Sequence, residues 1–289
     1  MTVAAVPDER LRLADGRRLA YAQWGEPRGT PVLLLHGAPG SRLFVPNLLV
    51  TAACGVRLIT ADRPGYGRSD PDPDRTILDW ADDVAQLCDT LGLHRVAIIG
   101  HSAGSPYALA CGVRMADRLS HLALVSPVVP VDEVDAAATG LTARERELLT
   151  LARDDPDAAA RRIAGDVGWL RTEPELFLEL PRPKVDALVL ADKDARRMYL
   201  STLEEAVRQG LDAFALEQVL ERRPWGFALD EVAVPVRVWH GQADAYVPVH
   251  HVRQLVGRLP AATISVDPEA GHGLIVARWG AILRALAPS

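Results

Sequence analysis

Arg95-Val96-Ala97-Ile98-Ile99-Gly100-His101-Ser102-Ala103-Gly104 decides the reading of this chain. The apolar run Arg95 to Ile99 has the β-branched content of a buried strand, and Ala103 to Met115 reads as a helix. A strand that turns at once into a helix allows only small residues beside the turn. It forces the central serine into a strained backbone conformation and projects its Oγ outward. The hydroxyl then sits at the positive end of the helix, where a developing oxyanion is favoured. Ser102 is therefore the candidate nucleophile. The cluster lacks G-x-G-x-x-G spacing and does not read as a dinucleotide loop.

On either side of this stretch, strands and helices alternate. Leu11 to Leu13 and Arg18 to Trp24 read as strands joined at Asp15-Gly16, a hairpin signal. Pro31 to Leu35 and Val56 to Thr60 read as buried strands, with a helix over Ser41 to Ala53 between them. Asp62 to Arg75 is loop, dense in Pro, Gly and Asp. Thr76 is expected to cap a helix whose apolar residues run from Ile77 to Leu91, closed by Gly92. A strand over His121 to Val125 follows. Buried strands alternating with helices imply a parallel sheet covered on both faces. From Asp132 to about Arg223 the pattern is helical, with helices expected over Thr142 to Arg153, Asp157 to Gly168, Ala191 to Gln209 and Leu211 to Arg222. Strands return at Val236 to Trp239 and Thr263 to Val266, with a helix over Val249 to Arg258 and a last one ending at Leu286. The helical block reads as an insertion between two parts of one sheet.

A serine needs a base and a group that orients the base. His272, in Ala270-Gly271-His272-Gly273 between the last strand and the last helix, is the candidate base. Asp244, in Gly241-Gln242-Ala243-Asp244, lies in the loop after the preceding strand, on the side of the sheet where ligands bind. The order Ser102, Asp244, His272 suits acyl chemistry at a strand–turn–helix serine. Asp267 and Glu269 are nearer to His272 in sequence and read as solvated loop acids. His121 reads as structural, as do His250 and His251 on an exposed helix start. In Leu35-His36-Gly37-Ala38-Pro39-Gly40, a Gly-rich turn can aim a backbone N–H at the reacting carbonyl. Pro39 has no N–H, so Ala38 is the candidate oxyanion donor with Ala103, and His36 is expected to brace the loop.

Composition narrows the field further. The chain has 289 residues, 48% hydrophobic and 24% charged, ordinary values for a soluble globular protein. Lys+Arg 32 against Asp+Glu 38 gives a net charge of −6, which argues against a general nucleic-acid partner. No apolar run approaches the ~20 residues that span a bilayer, and the N-terminus shows no signal-peptide pattern. Cys54, Cys88 and Cys111 have no CxxC spacing and read as buried small hydrophobes, which fits a reducing, cytoplasmic compartment. No HxH, HExxH or paired-carboxylate spacing suggests a metal, so neither metal nor cofactor is expected.

Together these loops resemble the α/β-hydrolase family, with Asp62-Arg63-Pro64-Gly65-Tyr66-Gly67-Arg68-Ser69-Asp70 as a further signature. The resemblance covers about residues 10–127 and 225–288. It implies an eight-stranded, mostly parallel sheet in a core of residues 1–127 and 225–289, with residues 128–224 as a helical cap over the active site. Haloalkane dehalogenases and epoxide hydrolases place Asp where this chain has Ser102. Prolyl iminopeptidases typically show His-Gly-Gly-Pro-Gly and Gly-Gly-Ser-Trp-Gly, and this chain departs at both. The resemblance therefore points first to ester or lactone hydrolysis of a small-molecule substrate, ahead of amide or C–C hydrolysis. A triad-retaining receptor and a biosynthetic acyltransferase or cyclase are the readings from other classes. Among the aromatic residues of the helical block, Trp169, Phe177, Tyr199, Phe214 and Trp225 are expected mainly to pack. The block shows no obvious pair of acids for gripping a free amino terminus, though Glu173, Glu175, Glu204 and Glu205 keep that option open.

Overall fold

The computed structural model describes residues 8–130 and 142–286. Its eight strands are β1 (Glu9–Arg12), β2 (Arg18–Gly25), β3 (Thr30–Leu35), β4 (Val56–Ala61), β5 (Val96–His101), β6 (Leu119–Val125), β7 (Val236–Gly241) and β8 (Ala262–Asp267). They form one sheet in the order β1-β2-β4-β3-β5-β6-β7-β8. β2 runs antiparallel to both β1 and β4, and all other pairs are parallel. The two-residue side-chain period divides each central strand between two cores. Leu33, Leu35, Val96, Ile98, Leu122 and Leu124 face one, and Val32, Leu34, Ala97, Ile99, Ala123 and Val125 face the other.

Helices α1 (Leu48–Ala53), α2 (Asp79–Thr90) and α3 (Ser105–Arg114) follow β3, β4 and β5. Between β6 and β7 lie α4 (Ala143–Asp154), α5 (Pro156–Asp166), α6 (Leu176–Glu179), α7 (Lys184–Ala191), α8 (Lys193–Ala206) and α9 (Asp212–Glu221). α10 (Val249–Arg258) joins β7 to β8, and α11 (Leu274–Ala277) and α12 (Trp279–Leu286) follow β8. α2, α3 and α10 cover one face of the sheet, α1 and α12 the other. In α12 the spacing of Trp279, Ile282, Leu283 and Leu286 puts all four on one buried stripe. Each such burial is worth roughly 1.5–3 kcal/mol. The inserted helices hold small cores of their own: Ala152, Ile163 and Val219 in one, Leu178, Leu190 and Leu203 in the other. The expected start of the insertion at residue 128 is described only as far as Pro130, because 131–141 lie outside the described residues.

Several expected elements are redrawn. The helix expected over Ser41 to Ala53 exists only as α1. Pro46 disfavours helix in the residue before it, Arg42 N donates instead to Asp62 Oδ1 (2.6 Å), and the Asn47 side chain caps Val50 N (2.9 Å). The helix expected over Ala191 to Gln209 begins at Lys193, because the Asp192 side chain accepts from Asp194 N and Ala195 N and acts as its N-cap. α6 and α7 were not expected, and the last helix is two. The N-cap position of α2 is Leu78, which makes no side-chain cap; the expected cap Thr76 instead closes a turn just upstream, its Oγ1 accepting from Asp79 N (3.3 Å) and its N donating to Asp79 Oδ2 (2.7 Å).

Candidate active site

β5 delivers its last residue, His101, to a tight 3-10 turn over Ser102–Gly104 that opens α3. Ser102 has φ +50, the left-handed region that costs a residue with a side chain. A Cβ on Gly100 would lie 2.7 Å from Ala108 Cβ, and one on Gly104 would lie 2.3 Å from Leu35 O. The elbow, α3 and β3 meet so closely that only glycine fits two positions before and two positions after the serine.

Fold topology brings Ser102, Asp244 and His272 together. His272 Nε2 is 3.0 Å from Ser102 Oγ, and His272 Nδ1 is 2.8 Å from Asp244 Oδ2. Asp244 Oδ1 accepts from Tyr246 N (2.9 Å) and Val247 N (3.0 Å), so both carboxylate oxygens are engaged. Burial opposes the Asp244 charge, but the hydrogen bonds from His272 and Val247 outweigh it and hold the carboxyl below its ordinary range. Asp267 pairs with Arg278 (2.5 Å) and Glu269 is exposed. His121 is half-buried in β6 and His250 is exposed. His251 is buried, not exposed as expected: one position along α10 turns it from solvent onto the core face.

The loop after β3 presses on the serine: a Cβ on Gly37 would lie 3.2 Å from Ser102 Cβ. Ala38 and Ala103 line the same cavity as Ser102, the placement their expected role requires. His36 is buried beneath this loop, its Nδ1 2.7 Å from Gly37 O. Burial, with the Arg63 charge beside it, holds its imidazole well below the ordinary range and hence neutral. Arg63 Nη1 donates to His36 O (2.6 Å) and so ties the loop to the end of β4.

A profile of the alpha/beta hydrolase fold family matches residues 30–276. The chain belongs to this family. It is 34% identical over 289 aligned residues to a proline iminopeptidase of Xylella fastidiosa, covering 91% of this chain and 89% of that protein. A non-heme chloroperoxidase of Kitasatospora aureofaciens is 28% identical over 279 residues, 90% of each chain. Among solved structures, an esterase from Exiguobacterium antarcticum superposes with a TM-score of 0.68 at 20% identity, covering 96% of this chain and 97% of that one.

Over Ser102 this alpha/beta hydrolase has a cavity of about 340 Å³, walled by the core on one side and by α6 to α9 on the other. Phe177 and Tyr199 line it, whereas Phe214 packs within the insertion and Trp225 against the sheet core. Phe44 stacks on His101 with ring centroids 5.1 Å apart, and burial pushes the His101 imidazole down to about 3, so it stays neutral. None of Glu173, Glu175, Glu204 and Glu205 lines the cavity. Glu205 instead pairs with the buried Arg42 (2.6 Å). Among the described residues no group of three His, Cys, Asp or Glu is placed to hold a metal ion, and no helix is long and apolar enough to cross a membrane.

Sequence reasoning missed the residues that hold this hydrolase site in place. Asp186, from α7, accepts from His272 N (3.1 Å) and Gly273 N (2.8 Å), and a Cβ on Gly271 would sit 2.4 Å from its Oδ2. Ser126, at φ +48 just after β6, donates from Oγ to His272 O (3.1 Å). Arg63 is joined to Glu217 of α9 by two hydrogen bonds, 2.6 and 3.0 Å. Lone acids inside apolar helices were the available signal: Asp186 in Lys184-Val185-Asp186-Ala187-Leu188, and Glu217 in Ala215-Leu216-Glu217-Gln218-Val219.

Proposed function

We propose that this hydrolase cleaves small carboxylic esters or lactones through an acyl-enzyme on Ser102. The observation that carries the reading is the continuous hydrogen-bonded line Ser102 Oγ–His272 Nε2 (3.0 Å) and His272 Nδ1–Asp244 Oδ2 (2.8 Å), opening into a largely apolar cavity. Asp244 accepts the Nδ1 proton, which leaves Nε2 free to take the proton of Ser102 as Oγ attacks the carbonyl carbon. The Ala38 and Ala103 N–H groups receive the oxyanion. When the tetrahedral intermediate collapses, the carbonyl carbon–oxygen bond to the leaving group breaks and Nε2 returns the proton to the departing alkoxide. Water then attacks the acyl-enzyme, gives a proton to Nε2, and releases the acid as Oγ recovers its proton. No cofactor enters this scheme. In the same reading, residues 128–224 act as a cap over the core, the partner is a small molecule, and the compartment is the cytoplasm.

The iminopeptidase relative sets the competing reading. What favours the ester is that the four glutamates the sequence left open for gripping an amino terminus lie outside the cavity, and that of the acids lining it Asp186 is committed to His272 N and Gly273 N and Glu221 to Gln218. The test combines fluorophosphonate labelling with kcat/KM on p-nitrophenyl acetate to dodecanoate beside prolyl-p-nitroanilide, using Ser102→Ala as blank. Label on Ser102 alone and a graded fall with acyl length are expected, because an apolar pocket discriminates by only ~1–3 kcal/mol per methylene. Asp244→Asn should lower kcat on the order of 10⁴-fold. An arylamide that beats every ester installs the peptidase reading, and labelling without turnover installs the receptor or biosynthetic one.

A further inference from the structure

A line of ring contacts runs along the cavity over Ser102. Between centroids, Tyr199 meets Phe44 at 5.6 Å, Phe44 stacks on His101 at 5.1 Å, His101 meets His272 at 5.7 Å, and His272 meets Tyr246 at 5.0 Å. Exposure rises from Phe44 onward: Phe44 is 3% exposed, His101 6%, the His272 side chain 20% and Tyr246 53%. The closed end of the cavity is therefore at Phe44 and its mouth at Tyr246, with the reacting pair Ser102 and His272 between them. The backbone of Tyr246 is pinned there, because its N–H donates to Asp244 Oδ1 (2.9 Å). The Phe44 and His101 rings are already covered by their neighbours. The Tyr246 ring is half open to water beside the reacting groups, and so offers apolar surface that a bound substrate can cover.

The order of the two reaction steps decides which part of an ester lies against that ring. The alcohol departs while the acyl group is still bonded to Ser102 Oγ, and water must then reach the position it vacates beside His272 Nε2. Water comes from the mouth, and an alcohol released toward Phe44 would be trapped behind the acyl-enzyme. The acyl group therefore points to the closed end, and the alcohol portion passes His272 and rests against Tyr246. A flat unsaturated group gains most there, because offset or edge-on ring pairs are favoured beyond the area they bury. A cationic alcohol portion such as choline is also drawn to a ring face. Here, however, the imidazolium that forms at His272 in each step lies against the same ring and repels it.

We propose that Tyr246 forms the leaving-group subsite of this hydrolase and selects esters of aromatic alcohols, benzyl esters being the simplest. The proposal rests on the ester-hydrolase reading for the reaction, while the subsite can also be read by binding alone. Benzyl butanoate beside cyclohexylmethyl butanoate places a flat or a puckered ring on the alcohol side. Butyl phenylacetate beside butyl cyclohexylacetate places the same rings on the acyl side, and acetylcholine beside 3,3-dimethylbutyl acetate probes charge. Rates are read as kcat/KM on the wild type, Tyr246→Phe and Tyr246→Leu. Affinities are read by calorimetry on Ser102→Ala, with and without Tyr246→Leu. Benzyl butanoate should exceed its cyclohexylmethyl partner about 2- to 10-fold in kcat/KM and in affinity, the span that a ring pair is worth. The ratio should persist in Tyr246→Phe and fall to about one in Tyr246→Leu, while the acyl-side ratio stays the same in all three proteins. Equal benzyl and cyclohexylmethyl values, a preference that survives Tyr246→Leu, a Tyr246→Leu effect on the acyl-side pair instead, or acetylcholine preferred over its uncharged counterpart overturns the subsite. If esters are cleaved without the benzyl preference, the hydrolase reading stands and the subsite falls. If nothing turns over yet Ser102→Ala selects the benzyl ester through Tyr246, the hydrolase reading fails and the subsite stands.

Discussion

Glu217→Leu should destabilise the fold through one buried charge. Arg63 and Glu217 are both fully buried, joined by contacts of 2.6 and 3.0 Å across the boundary between the β4 exit and α9. Leucine removes the carboxylate, which also lies 4.0 Å from the buried Arg75, and leaves the Arg63 guanidinium with the carbonyls of His36 (2.6 Å) and Gly37 (3.4 Å) as its principal partners. Breaking a buried pair from one side costs about 3–5 kcal/mol, and the surviving carbonyl contacts place this case near the lower end. An unfolding entropy of about 2.1 cal/mol/K per residue gives roughly 0.6 kcal/mol/K for this chain, so Tm should fall by about 5–8 °C. The assay is thermal and denaturant unfolding of the wild type, Glu217→Leu, Arg63→Met and the double variant. The double variant should recover more than half of the loss, because it removes the stranded charge as well as its partner. A single variant within about 1 kcal/mol of wild type, or a double variant as unstable as the two singles summed, would refute the reasoning.

Two further outcomes are expected. Asp186→Ala leaves the His272 and Gly273 N–H groups without their acceptor, costing about 1–3 kcal/mol for each, and loosens the loop that carries the base. A displacement of about 1 Å can cost on the order of 10² in rate, so kcat should fall about 10- to 100-fold with KM changed less than about threefold. An unchanged kcat would show that the loop holds itself. Glu221, raised from 4.5 to about 8 by burial and the Glu217 carboxyl, contributes a pH dependence of the opposite sense to an ion-paired acid. Between these values the unfolded chain loses the proton and the folded one keeps it, so this group contributes a decline in stability as pH rises from 4.5 to 8, set against the opposite slope that the neutral His36 and His101 contribute below 6.5. With Arg222, Arg63 and Glu217 unchanged, Glu221→Gln should flatten that decline in a Tm–pH series, and equal slopes would count against the assignment.

The periodic parts of the molecule were readable one position at a time. The unbroken apolar runs Val32 to Leu35 and Val96 to Ile99 specify a strand buried on both faces, because successive side chains must point to opposite sides. The Gly100 to Gly104 cluster specifies the elbow, because only small residues survive where strand and helix touch. Ser102, Asp244 and His272 were legible for a related reason: each sits in a short Gly-containing turn after a strand, and all three strand ends open at one edge of the sheet. Errors came where a tertiary contact outweighs local propensity. Ser41 to Asn47 reads as helix, yet the buried Arg42 is drawn to Asp62 and Glu205 and unwinds it.

What the sequence could not determine is which distant side chains meet. Asp186 and His272 are 86 positions apart, and Arg63 and Glu217 are 154 apart. Neither separation leaves any period in the sequence, and an acid within an apolar helix has the same local signature whether it clamps a loop or neutralises an arginine. Composition and spacing therefore determined the sheet, the elbow and the three-residue hydrogen-bonded line. The packing of α7, α8 and α9 onto the core decided the rest, because burial and distance set Asp186 against the His272 loop and Glu217 against Arg63 with the same carboxyl group.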